Sequence, residues 1–128
     1  MRTFALAAAL IVASGAAPAQ DAFSLKGTRT GARERIAKDE GWREGTATLV
    51  ITDQKGRTFS GHLLRSNPSG DVREELWGAF TPNGRLIVAA EEEGTYAFDL
   101  VDGDTLDYCY AESGRAARVT CARLQRRK

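Results

Sequence analysis

Few residues of this 128-residue chain are of a type that does chemistry: one histidine, two cysteines, a run of three glutamates and one arginine set among apolar positions. A Ser/His/acid triad would have to use His62, the only histidine. In Ser60-Gly61-His62-Leu63-Leu64 it alternates with Ser60 and Leu64, opposite Phe59, Gly61 and Leu63, which is the pattern of an outward-facing strand residue. No Gly-x-Ser-x-Gly elbow occurs, so no catalytic residue is assigned. Cys109 and Cys121, expected to be oxidised, leave no thiolate or imidazole cluster for a metal. Glu91, Glu92 and Glu93 with Asp102 and Asp104 offer the oxygen ligands calcium prefers. The ordered Asp-x-Asp-x-Asp-Gly loop is absent, however, and they read as solvated turn acids. No phosphate-cradling glycine loop appears and no cofactor is expected.

Arg29 has a sharper reading. It lies in phase with Phe23, Leu25 and Gly27, and so is expected to point inward. A buried guanidinium needs partners. Either it bonds backbone carbonyls at one end of the fold, or it anchors an anionic ligand walled by Tyr96, Phe98, Tyr108 and Tyr110. The same aromatics could instead simply fill the core. Trp77 is the other candidate. With Leu76, Gly78 and Phe80 inward, Trp77 points outward beside Ala79, Ile87 and Ala89, rimmed by Glu75 and Glu91. Such a patch is an interaction surface for a protein partner unless the 33–45 segment covers it, for instance through Trp42.

The elements that position these residues are short alternating runs separated by turn signals: 23–32, 46–53, 57–65, 72–81, 85–91, 95–101, 105–111 and 117–125. The charged segment 33–45 is ambiguous, a loop with a helical turn being one reading. In the last hairpin, pairing Cys109 with Cys121 puts Asp107 opposite Arg123. Leu106, Tyr108 and Tyr110 then share the other face with Thr120, Ala122 and Leu124. Asp53-Gln54-Lys55-Gly56-Arg57 predicts a three-residue loop that brings Ala47, Leu49 and Ile51 opposite Leu63, Gly61 and Phe59. Thr81-Pro82-Asn83-Gly84 predicts pairing of Leu76, Gly78 and Phe80 with Ala90, Val88 and Leu86. The turn at Glu91–Gly94 then pairs Val88 and Ala90 with Phe98 and Tyr96, and Leu100 meets Leu106. One continuous apolar face results. Eight sequential antiparallel strands with one apolar face predict an all-β, up-and-down barrel with one disulfide, a two-sheet sandwich being the alternative.

The start, MRTFALAAALIVASGAAPAQ, has the basic residue, apolar run and small-x-small site of an export leader. Cleavage after Ala19 is expected, leaving a single domain over 20–128. The apolar run is too short for a membrane span. Export to the periplasm or medium favours the disulfide. The 109 remaining residues balance 17 basic against 17 acidic groups, which argues against general nucleic-acid binding. Residues 71–112 nonetheless carry eleven acids and two bases, and 113–128 six bases and no acids. The usual cause is faces that attract one another within a fold.

Leu25-Lys26-Gly27-Thr28-Arg29-Thr30-Gly31 resembles the strand-one Gly-x-Trp segment of lipocalin-like (calycin) barrels, with Arg29 where that pattern has Trp. The run from Trp77-Gly78 through Gly84, Gly94 and Tyr96 to Leu106-Asp107-Tyr108-Cys109-Tyr110 is similar to small exported proteobacterial proteins of that kind, whose function is uncharacterised. The resemblance implies a barrel and brings no activity with it. Ser113-Gly114-Arg115 faintly resembles the Ser-Gly-rich loop of small periplasmic lysozyme inhibitors, which implies a basic protein partner for the acidic region. Taken together, the expectation is a monomeric, non-catalytic exported binding protein. It would hold a small apolar or amphipathic ligand in the barrel or, alternatively, engage a protein.

Overall fold

A computed structural model describes residues 23–128. They form a closed antiparallel barrel of eight strands in sequential order: β1 (Gly27–Ala37), β2 (Gly41–Lys55), β3 (Thr58–Arg65), β4 (Val72–Phe80), β5 (Ile87–Ala90), β6 (Gly94–Leu100), β7 (Thr105–Glu112) and β8 (Arg118–Arg126). The expected leader, 1–19, lies outside the described residues. Among those residues no helix is long and apolar enough to cross a membrane.

The last hairpin has the register its composition demands. Cys109 pairs with Cys121 in a disulfide, and Asp107 pairs with Arg123 through contacts of 2.7 and 2.9 Å. Leu106, Tyr108, Tyr110, Thr120 and Leu124 are buried on the opposite face. Leu100 meets Leu106 as expected. From Leu106 to Glu112 and along β8 inward and outward side chains alternate, so side-chain chemistry alone selects the register.

Three expectations are corrected. The 33–45 segment is neither loop nor helical turn: it is the β1–β2 hairpin, paired from Gly27↔Ile51 to Ala37↔Gly41. Between β2 and β3 the turn is the two-residue Gly56–Arg57, with Lys55 opposite Thr58. Gly56, at φ 58°, takes the first central position, as a type II′ turn requires. A bulge between Ile51 and Asp53 then moves the ladder, so Leu49 meets Leu63 and Ile51 meets Gly61. The third correction changes a face. The 81–86 loop is closed by Thr81 N–H to Leu86 O (2.8 Å), one residue wider than the Pro-Asn-Gly signal indicates, and Phe80 pairs with Ile87. A one-residue slip exchanges the two faces of a strand. Ile87 and Ala89 are therefore inside, pairing with Phe98 and Tyr96, while Leu86 and Val88 are outside.

The interior is polarised along the barrel axis. Leu25, Phe59, Phe80, Ile87, Leu106 and Leu124 fill the half where β1 begins and β8 ends, together with the buried Arg29. At the other end, beneath the turns at 38–40, 66–71, 91–93 and 113–117, charged and phenolic side chains enter the interior; we call it the charged end.

Candidate functional site

β1 alternates strictly, and its odd positions face inward from Gly27 to Ala37. That phase buries three arginines: Arg29 (0% exposed), Arg33 (1%) and Arg35 (3%). Arg33 is accommodated because its partner on β2 is Gly45. A Cβ on Gly45 would stand 2.8 Å from Ser66 O and 3.3 Å from Arg33 Nε. The bare backbone there lets the guanidinium cross β2 and donate from Nη2 to Ser66 O (2.7 Å) and Asn67 Oδ1 (2.6 Å) in the β3–β4 loop.

The other buried and half-buried arginines of this end each have a carboxylate. Arg35 pairs with Glu40 (2.7 Å), Arg65 with Glu74 (2.6 Å) and Arg118 with Glu112 (3.5 Å). Glu74 also accepts from Tyr96 OH (3.0 Å), and Tyr110 OH donates to Glu91. Among the described residues no carboxylate pairs with Arg33, and its Nε and Nη1 are buried without a partner. The Tyr108 hydroxyl is likewise buried and unpartnered. Arg33 and Tyr108 belong to one layer, since both flank the small Ala122 on β8. Burial lowers the Arg33 pKa, with Arg65 and Arg35 adding to the effect and Tyr108 opposing it. Burial pushes the Tyr108 phenol up to about 12 against the pull of Arg33.

Tyr96, Phe98, Tyr108 and Tyr110 all face inward, as the alternation requires, and touch one another. Tyr96 stacks on Phe98 at 5.7 Å and lies 4.8 Å from Tyr110 and 5.9 Å from Tyr108, ring centre to ring centre. Arg29 does not join them. It sits in the opposite half, donating from Nη1 to Leu25 O (2.7 Å), and its charge is felt with those of Arg126 and Asp104. The expected grouping of Arg29 with the aromatics is thus divided between the two ends, and Arg33 takes the place beside Tyr108. The alternation that identified Arg29 continues through Arg33, Arg35 and Ala37. Only the charge of those residues hid it.

Outside the barrel, Trp77 is 58% exposed above a shallow groove lined by Ala79, Val88, Ala90, Ala97 and Ala111. Ile87, expected beside it, is interior, and Val88 stands there instead. Trp42 does not cover this patch; it is itself 81% exposed, in a separate groove with Ile36 and Val119. The turn acids are engaged locally. Asp102 Oδ1 accepts from the backbone N–H groups of Asp104 and Thr105, and Glu91 Oε1 accepts from that of Glu93.

Glu74 makes the charged end sensitive to pH. Burial raises its pKa above the ordinary 4.5, and the Arg65 charge and the Tyr96 bond only partly oppose this. A carboxyl with a raised folded-state pKa favours folding while protonated, and that contribution is lost as pH rises from the unfolded value through the folded one. Stability of a Glu74→Gln variant relative to the parent should therefore increase from pH 4 toward neutrality in urea titrations at several pH values. A constant difference would show that Glu74 ionises normally.

No family model and no curated protein matches the chain. Solved structures do share its fold. A redesigned β-barrel superposes with a TM-score of 0.61 at 12% identity, covering 81% of this chain and 92% of its own. A protein of unknown function from the DUF3598 family of Nostoc punctiforme gives 0.59 at 14% identity, covering 90% of this chain and 53% of its own, so the chain spans about half that protein's length. The protein EF1p2_mFAP2b bound to DFHBI gives 0.56 at 13% identity, covering 80% and 94%. At these identities the likeness is one of fold: the described chain is an eight-stranded antiparallel β-barrel.

Proposed function

We propose that this is an exported, non-catalytic binding protein that takes a small amphipathic molecule at the charged end of its barrel. The observation that carries the reading is the graded interior, with phenols and the Arg33 and Arg35 guanidiniums at one end and a floor below that is apolar except for Arg29. A barrel of eight strands is either filled by its own side chains or holds one small ligand. Here the aromatic rings occupy the middle, so a ligand would reach only as deep as they allow, its polar group among the arginines. EF1p2_mFAP2b, a barrel of similar fold, is bound to the small molecule DFHBI, which accords with the reading. The leader pattern and the pairing of both cysteines accord with export to an oxidising compartment. Native mass spectrometry of the mature protein, purified gently from the envelope of its own host, tests this. A discrete extra mass released on denaturation is the expected result. A bare protein under conditions that retain a deliberately added amphiphile would count against a natural ligand of this kind.

A second reading has its own observation. Trp77 stands exposed with Val88 over a groove of alanines, on a part of the chain rich in acids, and a basic protein partner would suit that surface. Trp77→Ala would weaken such a complex and leave small-molecule binding unchanged.

A further inference from the structure

We infer that the group recognised at the charged end is a singly charged anion of the carboxylate type, bound by the Arg33 guanidinium with the Tyr108 hydroxyl as second donor. The inference rests on the ligand-binding reading above and specifies the chemistry of the ligand's polar group.

The argument begins with charge. Burying a guanidinium is costly unless an opposite charge and hydrogen bonds compensate it. Arg35, Arg65 and Arg118 have that compensation in Glu40, Glu74 and Glu112. Arg33, at 1% exposure, has two neutral acceptors on one nitrogen and nothing on the other two. One uncompensated positive charge matches one negative charge on the ligand. Glu74, the acid whose field Arg33 feels, is committed to Arg65 and Tyr96. Glu91 and Glu112 are committed to Tyr110 and Arg118.

Geometry supplies the second donor. The Tyr108 hydroxyl is buried in the same layer and has no acceptor. A phenol is protonated at neutral pH, and burial here favours that form further, so the hydroxyl is a donor. A carboxylate presents two acceptor oxygens and could take both groups, forming charge-assisted bonds stronger than neutral ones. Arg29 is the rival, being equally buried and without a carboxylate among the described residues. Its neighbours there are the Leu25 carbonyl and the Arg126 charge, and no unpartnered hydroxyl accompanies it. At Arg33 the bonds to Ser66 and Asn67 go through Nη2 alone, so Nε and Nη1 keep donor hydrogens that no protein group uses.

The experiment compares dodecanoate with dodecanol, both below their aggregation limits, by calorimetric titration of the mature protein, with acetate as a free anion. The expected result is dodecanoate binding at least about tenfold tighter than dodecanol, the value of one or two hydrogen bonds to a charged group. Arg33→Gln should abolish that preference, and Tyr108→Phe should reduce it several-fold, with circular dichroism checking the fold of each. If Arg33→Gln does not fold, the parent's preference and its several-fold reduction in Tyr108→Phe decide the matter. Equal binding of the two amphiphiles would overturn the anion and leave the ligand-binding reading standing. Acetate binding that depends on Arg33, with no binding of either amphiphile, would support the anion site and overturn the amphipathic ligand. A dodecanoate preference that persists in Arg33→Gln would place the charge recognition elsewhere and sink the assignment, and no binding at all would sink both.

Discussion

Tyr96→Ala should lower the stability of the barrel by about 3–5 kcal/mol, the range for truncating a large buried aromatic. For a domain of this size each kcal/mol corresponds to about 4–8 °C in Tm. The expectation rests on where Tyr96 sits. It is 2% exposed, touches the three other interior aromatics of β6 and β7, and bonds the half-buried Glu74. Removing the ring leaves a void that Phe98, Tyr108 and Tyr110, fixed on paired strands, cannot close. It also takes from Glu74 a donor that stabilises its charged form. Tyr96→Phe separates the two effects. It keeps the packing and should cost only about 1 kcal/mol, the usual net value of one hydrogen bond. Thermal unfolding of both variants checks the pair; equal losses would show that the hydroxyl, not the ring, holds this part of the core.

Tyr96 is legible as an interior residue from sequence alone, because it alternates in phase with Phe98 and Leu100 on β6, as Leu106, Tyr108 and Tyr110 do on β7. The side-chain pattern misleads where a backbone detail intervenes that it does not encode. A loop one residue wider turned Ile87 inward and Val88 outward. A bulge after Ile51 shifted the pairing of β2 with β3 while keeping the same residues inside. The largest omission has a different cause. Arg33 and Arg35 occupy inward positions that a hydrophobic pattern assigns to apolar residues, so the hairpin carrying them resembled a charged loop. A local conflict with pattern of this kind is expected where a fold departs from its core for a functional reason. The signals that mark this hairpin are the inward phase of β1, continued from Arg29 to Ala37, and Gly41, in the left-handed region at φ 68°.

Removing the disulfide should cost about 3 kcal/mol on the loop-entropy account, for a sequence separation of 12. Both cysteines face solvent, so reductant reaches them without unfolding the barrel. Urea titrations of the oxidised protein, the reduced protein and the Cys109→Ser/Cys121→Ser variant should give one high midpoint and two similar lower ones. A reduced protein as stable as the oxidised one would show that the β7–β8 hairpin, held also by Asp107–Arg123, is equally constrained in the unfolded chain.

Seven of the eight strand pairings join neighbours in sequence, and only β1 with β8 joins the chain's extremes. The other ladders can grow locally, each from a short turn, at small entropic cost. The seam must bring together segments nearly the whole domain apart, and that closure cost rises only slowly with separation. The one non-local pairing should therefore limit the folding rate, with formation of the seam as the late step. Arg33 and Arg35 lie on β1 within that seam, paired to Ala122 and Thr120. The cationic layer is therefore put together last, when the first and final strands latch, and a chain that has lost its final strand would possess every turn yet lack the wall against which those arginines are held.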